Sequence, residues 1–174
     1  MNSICTHKRK APPLMLALFG AAIIAWSASA DQIVPAIGSA DGEEIAHLQD
    51  PDDPNVIIGL YEAAGTGTVI GEHVTYGITR FNLLTGEISG EFYSESVEFP
   101  GTSIRGRYTA MSGILIPSTF TIFRTTLNVE WFDGTGRLQG ATGSAIVKEV
   151  EDESGGQAGL GAFHYMFSGF FKLP

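Results

Sequence analysis

Trp131-Phe132-Asp133-Gly134-Thr135-Gly136-Arg137-Leu138-Gln139-Gly140-Ala141-Thr142-Gly143-Ser144-Ala145 is the stretch that decides the fold. Gly134 and Gly136 predict the positive φ angles of a tight turn. Gly140 and Gly143 predict close backbone passage at a sharp barrel corner, where a side chain would clash. Arg137 stands where it can cross-brace loops or pair with a carboxylate. A phosphate cradle is the wrong reading, because no strand-to-helix transition and no Gly-Lys-Ser/Thr follows.

Outward from this stretch the pattern is one of strands. Apolar residues alternate or run in short bursts, separated by Gly, Pro, Asn and Asp. Strands are expected over 56–61, 74–81, 87–97, 103–111, 119–131, 144–149 and 162–172, with a weaker one over 66–70. Leu84-Thr85-Gly86, Pro100-Gly101 and Asp133-Gly134 are turn signals, and 152–161 is a glycine-rich loop. The expected fold is all-β: an antiparallel barrel of about eight strands, with a β-sandwich as the alternative. In the last strand Phe163, Tyr165, Phe167 and Phe171 share one face, and His164, Met166, Ser168 and Phe170 the other. A strand apolar on both faces needs cover outside as well, from a second subunit or from a folded-over segment.

The first thirty residues differ in kind. Lys8, Arg9 and Lys10 precede an apolar run from Leu14 to Trp26, and Ala28-Ser29-Ala30 follows. This is the pattern of a secretory signal peptide (1–30) cleaved after Ala30, with Ala28 and Ala30 as its small residues. The run falls short of the roughly 20 residues that span a bilayer, so no membrane span is expected after cleavage. The whole chain of 174 residues has 10 basic and 19 acidic residues, a net charge of −9. The three leader cations leave seven basic residues against 19 acidic ones, or −12. Such a balance excludes a nucleic-acid partner. The single cysteine, Cys5, goes with the leader, and no Asn-x-Ser/Thr site remains. An exported bacterial protein, periplasmic or secreted, is expected. Residues 31–55, rich in Asp, Glu and Pro, are expected to be an acidic tether, and 56–174 the barrel domain.

The quoted stretch resembles the G-T-G-R-F-x-G-A-x-G signature of the allene oxide cyclase and dirigent-like barrels. It is most similar to small exported bacterial members of that class, which also carry an alternating segment and Thr-Gly-x-x-x-Gly, here within 74–90. The resemblance covers 56–174. It implies a β-barrel whose relatives include an isomerising cyclase and plant proteins that steer radical or quinone-methide coupling in the lumen. The matching residues are those of the fold, and no catalytic residue of either enzyme carries over.

Chemistry sought directly is sparse. There is no Gly-x-Ser-x-Gly elbow and no cysteine nucleophile after cleavage. His47, His73 and His164 lack zinc-motif spacing, so no metal is expected; nor is any cofactor. His73 is expected at the surface, and Glu91 and Glu95 in solvent. Arg80 shares a strand face with Tyr76, and Arg124 with Phe120 and Ile122. Each arginine is expected near a strand end with its head in water, and a bulge near Phe123 would reverse the face of Arg124. If these faces point inward, Tyr76, Phe92, Phe120 and Ile122 line the lumen, with Arg80, Arg124 and His164 as polar anchors. The leading expectation is a non-catalytic barrel that binds a small apolar molecule. A cyclase, isomerase or dirigent-like enzyme is one alternative, and a structural or interaction protein with a filled barrel is another. Association into a homo-oligomer is compatible with all three.

Overall fold

A computed structural model of the protein describes residues 31–115, 122–152 and 160–174, side chains 112–115 excepted. The expected leader (1–30), Phe120 and most of the 152–161 loop lie outside them. Eight antiparallel strands follow one another: β1 (Gln32–Gln49), β2 (Val56–Gly67), β3 (Gly71–Asn82), β4 (Ile88–Ser96), β5 (Ser103–Leu115), β6 (Ile122–Phe132), β7 (Thr142–Asp152) and β8 (Ala162–Leu173). Each pairs with its sequence neighbours and β1 pairs with β8, so the sheet closes into a barrel and leaves no edge. The sandwich alternative is thereby set aside.

The seven firmer strand expectations each correspond to one of β2 to β8. Residues 66–70, expected as a weaker strand, instead end β2 and turn into β3. The tether over 31–55 is the main correction. Most of it is β1, paired with β2 from Gly38↔Gly67 to Gln49↔Ile57 and with β8 from Gln32↔Leu173 to Glu43↔Ala162. The barrel therefore begins near residue 32, not 56. The reason is volume complementarity across the seam. Ala36 and Ala40 are buried, and the rings of Phe167 and Phe163 lie over Gly38 and Gly42. A strand that supplies the small half of each such pair has no apolar alternation to see, while its Asp41 and Glu43 face solvent.

At Ile45 the β1–β2 register slips by one residue. A bulge reverses which side chains face inward beyond it. Glu44 before the bulge and His47 after it consequently line the same interior. A second slip, at Met111 in β5, lies on the strand paired with β6, and not in β6 near Phe123 where one was expected.

The quoted glycine-rich stretch closes one end. A single 3₁₀ turn (Gly136–Leu138) buries Leu138 completely, and Ala141 beside it is also buried. Leu138, Ile70, Ile104, Trp131 and Phe171 belong to one apolar cluster there. Trp131 stacks on Phe171 with ring centroids 4.4 Å apart and meets Phe167 edge-on at 5.9 Å. Of the four glycines, Gly136 and Gly140 have positive φ, +57° and +72°. Gly134 and Gly143 instead abut the carbonyl oxygens of Leu138 and Phe170, where any Cβ would collide. Thus Gly140 answers a dihedral need rather than the spatial one expected, and Gly134 the converse. Arg137 does cross-brace: its guanidinium lies 3.8 Å over the Phe99 ring of the neighbouring loop.

On the outer wall Ile33 and Ile37 of β1, Met166 and Phe170 of β8, and Ile146 and Val150 of β7 are exposed. Because residues 32–49 are part of the wall, they extend this apolar face and do not fold over it.

Candidate functional site

Inward-facing side chains leave a cavity of about 430 Å³ along the barrel. Its deep end rests on Ile70, Ile104, Trp131 and Phe171. The opposite end is bordered by Glu44, His47, Phe81, Leu83, Phe123 and Glu151. Leu83 and Phe81 are 53% and 38% exposed while lining it, so the cavity reaches solvent there.

Glycines on the inner faces make room for the aromatic walls. Tyr61 lies over Gly77, Phe92 over Gly106 and Tyr108 over Gly90, each ring opposite its glycine on the next strand. The rings are thereby fixed against the sheet and leave the axis open. Polar groups form a band among them. Thr79 Oγ1 and Tyr108 Oη share a hydrogen bond at 2.6 Å, and Thr75 Oγ1 and Ser94 Oγ another at 2.7 Å. His47 Nε2 donates to Glu44 Oε2 at 2.6 Å. Glu44 stands opposite Tyr61, and Glu149 stands between Thr125 of β6 and Tyr165 of β8.

Electrostatics set this band apart. Burial, reinforced by the Glu44 charge, pushes the Glu149 carboxyl up to about 7. No hydrogen bond from a described residue offsets that rise. Burial also raises Tyr61 and Tyr108 well above the ordinary phenol range and pushes Tyr165 up to about 12, so all three stay neutral. Between pH 4.5 and 7 the folded protein keeps the Glu149 proton that the unfolded chain has lost, so stability falls as pH rises through this window. The full cost above pH 7 is about 3 kcal/mol. Glu149→Gln is therefore expected to stabilise the protein at pH 8 and to change little below pH 4.5. Urea titrations at both pH values check this, and an equal effect at both would contradict it.

The expected lining residues are mostly on the wrong side of the wall. Phe92 faces the cavity. Tyr76 is exposed on the outer wall. Arg80 is also outside, ion-paired to Asp50, whose carboxyl is held below its usual range. The Asp52 N–H lowers it most, and Arg80 adds to this against the opposing effect of burial. Ile122 and Arg124 lie on the outward-facing side of β6, where Phe123, Thr125, Leu127, Val129 and Trp131 face in. His164 meets Asp41 outside, at 2.8 Å. Arg124 is thus exposed near a strand end, as expected, whereas the head of Arg80, although outside the lumen, is held by the buried Asp50 carboxylate. His73, expected at the surface, is buried against the cavity; burial lowers its pKa while Nδ1 bonds the Gly71 carbonyl at 3.0 Å. Glu91 and Glu95 are solvent-exposed as expected.

The inversion has a physical cause. In β3 the outward residues Val74, Tyr76 and Ile78 are more apolar than the inward Thr75, Gly77 and Thr79. A lumen built of threonines, glycines and tyrosines carries the weaker hydrophobic signal. Glu44, His47 and Glu149 escaped sequence reasoning because the first two sat in an apparent tether and the third in an ordinary polar alternation. The signal that could have found them is the β8 aromatic face, which fixes the inward parity of both neighbouring strands. Compared with family models, with curated proteins and with solved structures, the chain finds no match in any of the three.

Proposed function

We propose that this protein is an exported barrel that binds a small, largely apolar molecule in its lumen without transforming it. The observation that carries the reading is the cavity itself: about 430 Å³, packed shut at the glycine-rich end, reaching solvent at the other, walled by aromatic rings. That volume falls within the range of small-molecule sites, and convergent polar groups in an apolar pocket are their usual composition. The filled-barrel alternative is disfavoured by the same space. The apolar outer face of β1, β8 and β7 supports association with a second copy as an accompanying feature. Kinship with the allene oxide cyclase and dirigent-like barrels remains part of this proposal, on the motif that builds the closed end.

One observation favours a second reading. A carboxyl near pH 7 beside neutral tyrosines is what a general acid–base needs, which would suit an isomerase. Native mass spectrometry of protein purified from the cells that make it tests the first reading. A co-purifying small molecule recovered unchanged is expected. Ligand-free protein that also takes up no apolar probe would overturn it, and recovery of a ligand together with its isomer would favour the second.

A further inference from the structure

Of the seven lysines and arginines in residues 31–174, none lines the cavity. Arg80 is engaged with Asp50, Arg107 with Glu130, Lys172 with Asp31, and Arg137 with the Phe99 ring, while Arg105, Arg124 and Lys148 are exposed on the outer wall. The sequence over 116–121 and 153–159 contains no lysine or arginine either. Inside, His47 serves Glu44. The Glu149 carboxyl faces the same space with no cationic partner and no hydrogen-bond donor among the described residues. Around it stand π faces: Tyr165 directly opposite on β8, Phe163 stacked on Tyr165 at 6.2 Å, and Tyr61 edge-on to Phe163 at 5.6 Å.

A carboxylate without a counter-ion inside an aromatic wall is the arrangement that favours an ammonium group. The rings attract a cation through their quadrupoles, and do so more strongly where water is excluded. The carboxylate supplies the opposite charge that an isolated buried ion lacks. Resting on the reading of the lumen as a binding site, we propose that its ligand is a cationic amphiphile. The ammonium group sits beside Glu149 within the Tyr61, Phe163 and Tyr165 rings, and the apolar body extends toward Leu127, Trp131 and Phe167.

Calorimetric titration with benzyltrimethylammonium and with neopentylbenzene, its uncharged carbon isostere, tests the charge alone. The wild-type protein at pH 8 is expected to bind the cation roughly tenfold or more tightly than the isostere, the order given by a desolvated cation–π contact with a carboxylate beside it. Glu149→Gln should remove that preference and leave the isostere unaffected. Because the probe does not titrate, wild-type affinity for it should rise from pH 6 to pH 8 as Glu149 ionises. The other titratable groups facing this space are Glu44 and His47 from β1, Tyr61 from β2, Tyr108 from β5, Glu151 from β7 and Tyr165 from β8, with His73 of β3 deeper. The variant keeps all of them, so any pH response it retains belongs to them. Equal affinity for the two probes, or tighter binding of the isostere, overturns the cationic ligand and leaves the lumen reading standing. Failure of both probes to bind overturns the lumen reading itself. The wild-type comparison decides between these even if the variant does not fold.

Discussion

Trp131→Ala is expected to cost about 3–5 kcal/mol of folding stability. Trp131 is buried where the closed end of the barrel meets the cavity, stacked on Phe171 and edge-on to Phe167. Its removal opens a void beside Leu138 and Ile70, which belong to the same cluster and are held by the loops around them. The Ile70 carbonyl accepts from Ser96 Oγ at 2.6 Å, and Thr135 Oγ1 donates to the Gly101 carbonyl at 2.9 Å. A braced site collapses poorly into a void, which puts the cost at the upper part of the range. Small domains are stable by only about 5–15 kcal/mol, so the variant should be marginal. Urea denaturation measures it, and a loss below about 1 kcal/mol would mean that the closed end is not packed as described.

Gly38→Val is expected to cost about 3 kcal/mol or more, enough to prevent accumulation of folded protein. A Cβ at Gly38 would meet both the Thr66 carbonyl oxygen and the Phe167 ring. The ring could turn aside only at the expense of its contacts with Trp131 and Tyr165, and the carbonyl belongs to the β1–β2 ladder. Gly86→Ala is the informative comparison. Gly86 has φ of +73° in the β3–β4 turn, but nothing lies within 4 Å of the position a Cβ would take. Only dihedral strain opposes alanine there, about 1–2 kcal/mol. Thermal denaturation of the two variants separates crowding from strain, and equal losses would contradict the assigned ring-over-glycine packing.

These two sites also show how far the fold could be read from sequence. Seven strands were legible because each carries β-branched or aromatic residues between turn signals. β1 was not, since its inner face is Ala36, Gly38, Ala40 and Gly42 and its bulk is supplied by Phe163 and Phe167 of β8. Half of a complementary pair carries no hydrophobic period of its own. The candidate site was less legible for two reasons. The lumen face of β3 is more polar than its outer face, so amphipathicity pointed the wrong way for Tyr76 and Arg80. A register slip at Ile45, which leaves no mark in composition, brings His47 to the same interior as Glu44. Phe92 was placed correctly because its face, with Gly90 and Ser94, alternates cleanly against Glu91 and Glu95.

That the interior is a cavity that holds a ligand is tested most directly by filling it. Thr125 is buried on the inner face of β6 and borders the open space beside Glu149. Fluorescence titration with N-phenyl-1-naphthylamine should give saturable one-to-one binding to the wild-type protein. Thr125→Trp, folded by circular dichroism, should weaken that binding at least roughly tenfold, since the indole would occupy the ligand's volume. Ser94→Phe serves the same purpose from β4. Unchanged binding in a folded filled variant would place the probe on the apolar outer face of β1, β8 and β7, and would contradict the lumen as the binding site.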